Sequence, residues 1–306
     1  MAQIEFEATA PGQSLDASSL MPGDYAVLRG TTGSDTLIGS AGSDRLAGRG
    51  GGDWLFGGAG NDAFFEVLDT RQVGGARDTI DGGTGTDSFN LYMGSWQMTG
   101  TVQAELQRAA GFLIASAHDA DAVFVSDIFQ VEMTSIEQIK VVLDGVARAI
   151  SSVITQAVID GTAGDDLLDG SGWSIPLAFR YSTGSDTMLG GSANDRFAFS
   201  GGHDSLSGGA GNDAFFSLFD PTASGARDRV DGGAGRDTLG VFINSNQVTS
   251  AVVSELRLLQ QHLADHGGDG THFTSDLLHL DITGIEAVII KENGVNATLS
   301  DWLALH

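Results

Sequence analysis

Residues 30–65 read GTTGSDTLI, GSAGSDRLA, GRGGGDWLF and GGAGNDAFF, four consecutive nine-residue units with no slip of phase. In this frame Gly33, Gly42, Gly51 and Gly60 hold the fourth position and Asp35, Asp44, Asp53 and Asp62 the sixth. An apolar residue follows two places on, at Leu37, Leu46, Leu55 and Phe64. Six turn-like residues and three strand-like ones reverse the chain once per unit. Two units then close one turn of a flattened solenoid, with two short parallel sheets back to back and the apolar residue of each strand pointing inward. Glycine suits such turns because close stacking and a positive φ leave no room for a Cβ. Stacking puts each unit beside the next but one, so Asp35 faces Asp53 and Asp44 faces Asp62.

Outward from this stretch, an insertion from Glu66 to Gln72 is followed by VGGARDTID and GGTGTDSFN, which carry Asp78 and Asp87 in the same register. The second half repeats the plan from Tyr181, with Gly184, Gly202 and Gly211 at fourth positions and Asp186, Asp195, Asp204, Asp213, Asp228 and Asp237 at sixth positions. An earlier unit, GTAGDDLLD from Gly161, supplies Asp166. Its successor GSGWSIPLA has Trp173 and Ile175 where Gly and Asp belong, so that turn is expected to bind nothing. Beyond the repeats, QMTGTVQAELQRAAGFL from Gln97 aligns with QVTSAVVSELRLLQQHL from Gln247 at a shift of 150. Val102, Leu106, Ala109 and Leu113 mirror Val252, Leu256, Leu259 and Leu263 as one apolar helix face. Phe129, Val131 and Met133 match Leu278, Leu280 and Ile282 at strand period. The expected fold is mainly β: two tandem parallel β-roll modules, each with an amphipathic helix and a strand-pair cap. The expected division is an N-terminal cap over 1–29 and modules over 30–150 and 151–306, with the apolar stretch from Arg148 to Asp160 between them.

The acids are 31 Asp against 9 Glu, and the formal charge is −25 with only two lysines, Lys140 and Lys291. Nucleic acid is a poor partner for such a chain, because binding it needs Lys and Arg to displace counterions. No cysteine is present, which excludes disulfides and thiol chemistry. No apolar stretch approaches the roughly 18 residues of a membrane span. The start, Met1-Ala2-Gln3-Ile4-Glu5, has neither the basic nor the apolar region of a cleavable signal peptide. Carboxylates stacked at about 4.7–4.9 Å would repel strongly without a counterion. Calcium, which accepts about 6–8 oxygens in irregular geometry, fits such turns better than magnesium. The pairs Asp35/Asp53, Asp44/Asp62, Asp53/Asp78 and Asp62/Asp87, with the same four in the second block, make about eight sites, which at two charges per calcium offset most of the acidic excess.

These units resemble the GGxGxDxUx nonapeptides of the RTX (repeats-in-toxin) proteins, and GGAGNDAFF, present twice, is a near-perfect match. The resemblance covers Gly30 to Asn90 and Gly161 to Gly240. It implies a parallel β-roll with calcium between alternate turns, and secretion by the type I route through an uncleaved C-terminal signal. It also implies a ligand set: Asp35, Asp44, Asp53, Asp62, Asp78, Asp87, Asp166, Asp186, Asp195, Asp204, Asp213, Asp228 and Asp237, with carbonyls around Gly33, Gly42, Gly51, Gly60, Gly184, Gly202 and Gly211. Ala76, Ala193 and Ala226 replace the fourth-position Gly and are expected to strain their turns, which ranks Asp78 and Asp228 below the others.

No HExxH, GxSxG or P-loop occurs, so the reading is non-enzymatic. His262 and His266 have the helical spacing of zinc ligands, with His272 and His279 nearby, but the first half has Phe112 opposite His262, and a solvated helix end explains them better. Trp54, Trp96 and Trp173 form no regular outward ladder. The expectation is a secreted or cell-surface protein that folds on binding extracellular calcium and acts in surface association, adhesion or assembly. Its expected partners are calcium, cell-surface polysaccharide and other copies of itself. The rival is a carbohydrate-binding accessory module, which an exposed aromatic or basic groove shared by both halves would favour.

Overall fold

A computed structural model describes residues 2–21, 23–69, 75–117, 119, 121–220, 227–267 and 270–306. The chain forms two compact units, Met1–Ile154 and Thr155–His306. In the first, one sheet runs through Gln3–Glu7, Tyr25–Arg29, Arg45–Ala47, Ala63–Val67, Ser88–Met93 and Gln138–Leu143, all parallel neighbours. Val146–Ala149 closes it antiparallel. The opposite sheet runs through Ser14–Asp16, Thr36–Ile38, Trp54–Ala59, Asp78–Thr84 and Val131–Thr134 in parallel and ends on antiparallel Phe124–Ser126. Successive nine-residue units alternate between the two sheets, which is the parallel β-roll. The second unit repeats this layout, from Ala157–Ile159 to Val295–Thr298 in one sheet and from Leu167–Asp169 to Phe273–Ser275 in the other.

The core follows from the register. Because alternate units pair residue for residue, each inward side chain lies on the equivalent one of the next turn. Leu28, Leu46, Phe64 and Phe89 form one buried column and Leu37, Leu55 and Ile80 another. In the second unit the Phe179, Phe197 and Phe215 rings stack at 4.7 Å per step with their planes within 9°. The outward residues between them stay accessible, as strand alternation requires.

Residues 1–29 are expected to be a cap, yet Gln3–Glu7, Ser14–Asp16 and Tyr25–Arg29 are three strands in the roll's own register, Ile4 and Phe6 pairing with Ala26 and Leu28. Having no Gly and Asp at nine-residue spacing, they carry no signal in that frame. The segment after Arg148 divides likewise. Val146–Ala149 pairs with Gln138–Leu143 in the first unit, whereas Ala157–Ile159 is the first strand of the second.

Each roll is followed by a helix, α1 (Gly100–Ala115) and α2 (Ser250–His266). The Thr99 and Thr249 hydroxyls cap them by accepting the Val102 and Val252 N–H at 3.3 Å. Val102, Leu106 and Ala109, and Val252, Leu256 and Leu259, are buried as the apolar stripe requires. Leu113 and Leu263 are only half-buried, and in α1 the last turn buries Ala110, Gly111 and Ile114 instead. Phe129 and Leu278 are not strand residues: each lies in the turn before its strand, its N–H donated to the Ser126 or Ser275 hydroxyl. No helix among the described residues is long and apolar enough to cross a membrane.

Candidate metal centre

Most sixth-position residues come just before a short strand, and Asp78, Asp228 and Leu177 begin theirs; the pairing of alternate turns sets each against its equivalent one turn on. The backbone N–H of Asp35 donates to Asp53 Oδ1 at 2.7 Å, and that of Asp53 to Asp78 Oδ1 at 2.9 Å. Along the opposite edge Asp44 donates to Asp62 Oδ1 and Asp62 to Asp87 Oδ1, at 2.7 and 2.6 Å. The second unit has the same two ladders: Asp166 to Asp186 to Asp204 to Asp228, and Asp195 to Asp213 to Asp237, all at 2.7–3.0 Å. Asp166 to Asp186 aside, these are the pairs that the alternate-turn rule anticipates. Asp reaches the facing N–H with its single methylene.

The second carboxylate oxygen separates outer turns from inner ones. At the amino-terminal ends it is held by the residue four places earlier. Thr31 N–H and hydroxyl donate to Asp35 Oδ2, Ser40 does the same for Asp44, and Thr162 and Gly191 serve Asp166 and Asp195; one rung in, the Ser182 hydroxyl still reaches Asp186 Oδ2. Further in, Asp53, Asp62, Asp87, Asp213 and Asp237 bury an Oδ2 that has no hydrogen-bond partner. An ionised oxygen so placed is costly unless a cation meets it. Burial, aided by the charges of neighbouring acids, pushes Asp53, Asp62, Asp204 and Asp213 up to about 7, and Asp87 and Asp237 to about 6. Burial likewise raises Asp78, and burial plus Asp78 raises Glu66, a residue of the strand Ala63–Val67. Asp35 moves the other way. Burial opposes the shift, but donors at Thr31 and Gln13 hold its carboxyl below the usual range.

Carbonyls converge on the same places. A Cβ on Gly57 would lie 2.5 Å from the Gly82 carbonyl oxygen and against Asp62 Oδ2, and Gly208 stands in the same relation to the Gly232 carbonyl and Asp213 Oδ2. These first-position glycines leave a cradle between a carboxylate and a carbonyl of the next turn, the mixed oxygen set calcium takes. Sequence reasoning missed them; the signal was the Gly at the start of most units. The fourth-position carbonyls also stack, Gly42 beside Gly60, Gly33 beside Gly51, Gly184 beside Gly202 and Ala193 beside Gly211. Gly211 has a φ of +128°, which a side chain would strain. Ala76 and Ala193 do not lie in the left-handed region, so the expected strain is absent there. Ala226 lies outside the described residues.

Two details correct the reading of GSGWSIPLA. A two-residue insertion shifts its register, so Leu177, not Ile175, takes the sixth position and donates its N–H to Asp195 Oδ1 at 2.8 Å. Its isobutyl group fills the space beside Gly170. On the other edge Asp166 continues the ladder, so Asp186 is an interior rung. No group of three or more His, Asp or Glu side chains among the described residues is arranged to hold a metal. Two of the four histidines approach, the His262 and His266 rings lying 5.3 Å apart, while His272 meets Asp281 and His279 sits in a turn.

A family model of the RTX calcium-binding nonapeptide repeat, four copies long, matches residues 29–64, 72–94, 158–172, 189–218 and 222–239. These segments are RTX-type nonapeptide repeats, and calcium is the ion that such repeats bind. No curated protein matches the chain.

The raised carboxyl groups fix the pH response of the calcium-free chain. Their folded values near 7 exceed the ordinary 3.8, so the folded state binds more protons between those limits, and stability present at about pH 4 is lost as pH rises through 7. In chelator, circular dichroism should show more sheet at pH 5.5 than at pH 8, and the calcium midpoint should rise on acidification. Equal sheet signal at both values refutes this. Among single variants, Asp53→Ala and Asp204→Ala should raise the calcium midpoint more than Asp35→Ala or Asp166→Ala, whose Oδ2 atoms have protein donors. Four equal midpoints would contradict the distinction between inner and outer turns.

Proposed function

We propose that this chain is a non-enzymatic calcium-binding protein of two self-sufficient β-roll modules, which folds on meeting extracellular calcium and then acts in surface association or assembly. The observation that carries this reading is the set of five buried carboxylate oxygens without partners, each in a ladder of like charges. Without a divalent cation the inner turns combine desolvation with mutual repulsion; with one, both costs are offset. Binding and folding are then one equilibrium, and the calcium concentration sets its position. RTX repeats are typically non-catalytic, and proteins that carry them are typically secreted by type I systems, which agrees with a chain kept unfolded where calcium is scarce.

Calcium titration followed by circular dichroism tests this on the whole chain and on Met1–Ile154 and Thr155–His306 made separately. All three should gain sheet cooperatively with calcium and lose it in chelator. Native ellipticity of the whole chain in excess chelator at pH 8 would sink the calcium-folding reading. Failure of both fragments alone would sink only the two-module reading.

A second reading is favoured by the outward sheet faces. In the second unit a groove of about 560 Å³ is lined by Tyr181, Arg196, Phe216, Phe242 and Lys291. The Arg196 guanidinium stands 5.1 Å over the Phe216 ring and the Lys291 ammonium 4.9 Å over Phe242. The first unit has a groove of about 400 Å³ in the same place, with Arg45, Phe65 and Tyr92. In so acidic a chain, cations over aromatic faces suit an anionic polysaccharide, its carboxylates on the cations and its sugar faces on the rings. An Arg196→Ala/Lys291→Ala variant should lose at least tenfold in affinity for a glucuronate oligosaccharide by calorimetry, with its calcium-induced fold intact. Unchanged affinity, or equal binding of a neutral glucan, excludes this reading.

A further inference from the structure

On one edge of each roll the carboxylate ladder does not stop at the last repeat. Asp87 donates its N–H to Glu137 Oε2 at 2.7 Å, and Asp237 to Glu286 Oε2 at 2.6 Å. This is the bond that Asp62 makes to Asp87 and Asp213 to Asp237, with a glutamate from the turn before the following strand in place of the next aspartate. The carbonyl column continues too. A Cβ on Gly82 would meet Asp87 Oδ2 at 2.7 Å and the Ser135 carbonyl oxygen, and one on Gly232 would meet Asp237 Oδ2 at 2.8 Å and the Gly284 carbonyl oxygen. Asp87 and Asp237 are 0% exposed, and each aims an unpartnered Oδ2 into this cradle. Ser135 and Gly284 both adopt a positive φ, 52° and 62°, at the point where the carbonyl joins the column. The opposite edge ends differently: the Asp78 and Asp228 N–H groups are taken at 2.9 Å by the Gln130 and His279 backbone carbonyls, with no carboxylate.

We propose that the segment after each roll completes one more calcium site, at Asp87, Glu137 and Ser135 in the first unit and at Asp237, Glu286 and Gly284 in the second. Neither glutamate lies in a nonapeptide or in the residues matched by the repeat model. The spacing also differs from that of a repeat. Carbonyl and carboxylate are five residues apart in a unit but only two apart here, and the longer glutamate side chain makes up the distance. The same arrangement arises in both halves. These ions would tie the cap to the roll, so that the last rung is closed by the same oxygen chemistry that joins the rungs before it. The inference rests on the calcium ladder proposed above and adds one site per unit to it.

The test counts ions. Native mass spectrometry at saturating calcium, with circular dichroism alongside, compares the full chain with Glu137→Gln, Glu286→Gln, the double variant and a Glu132→Gln control. The glutamine amide oxygen still accepts the aspartate N–H, so the fold should persist. Each single variant should bind one calcium fewer and the double two fewer, with the control unchanged. An unchanged count in the double variant overturns the proposal and leaves the glutamates as hydrogen-bonding caps. Should a variant fail to fold, crystals of the unaltered chain grown in calcium decide. Anomalous peaks beside Asp87 and Glu137, and beside Asp237 and Glu286, support the sites. Peaks between the repeat turns but not at these two places refute them, and no peaks anywhere would remove the ladder itself.

Discussion

The hydrogen bond from one sixth-position N–H to the carboxylate of the next turn but one sets most of this architecture. It uses one oxygen of each aspartate and commits the other to a buried position, so each rung added to the sheet also adds a charge to an ordered column. A hydroxyl in place of the carboxylate would satisfy the N–H without that burden, and would build a roll indifferent to ions. The retained carboxylate couples sheet formation to whatever neutralises the second oxygen. The excess of Asp over Glu has the same origin, because a rung at strand spacing has room for one methylene between Cα and carboxylate.

The ladders are polar along the roll. Their amino-terminal rungs are served by the protein's own donors, Thr31, Ser40 and Thr162 among them, and their carboxy-terminal rungs are the orphans. The first rungs of each ladder therefore have their charge met by protein donors, while the inner rungs carry it unmet. The buried columns of Leu and Phe extend through both regions, so packing alone does not distinguish them. What differs is the charge that each rung must carry.

The repeating part of this structure was legible because its period is locked to its geometry: nine residues per half-turn means that residues 18 apart in uninterrupted turns must face. Legibility failed wherever that lock is broken. Leu177 was misplaced because two extra residues slip the frame. The strands over 3–29 pass unseen because they pair by apolar alternation without Gly and Asp. The first-position carbonyls were missed because backbone atoms leave no mark in the sequence beyond the glycines that make room for them. Glu137 and Glu286 did leave a trace. SIEQIKVV and GIEAVIIK keep the glutamate in both halves, but it lies outside any nonapeptide, whose frame has no position for it. The grooves bring together Arg196, Phe216, Phe242 and Lys291, which strand pairing gathers from across nearly a hundred residues.

A proton and a calcium ion relieve the inner turns in different ways. A proton removes one charge from one carboxylate and lets two aspartates approach, so acid can favour a compact chain without metal. It does nothing for the carbonyl oxygen that faces the same cradle, that of Gly82 beside Gly57 or of Gly232 beside Gly208. A divalent cation held there would engage carbonyl and carboxylate oxygens together, the mixed oxygen set that calcium takes. Acid would therefore relieve repulsion alone, whereas a calcium ion bound there would also favour the pairing of one turn with the next but one. The glycine at the head of most units keeps that second role open, since any side chain there would fill the space where the two kinds of oxygen meet.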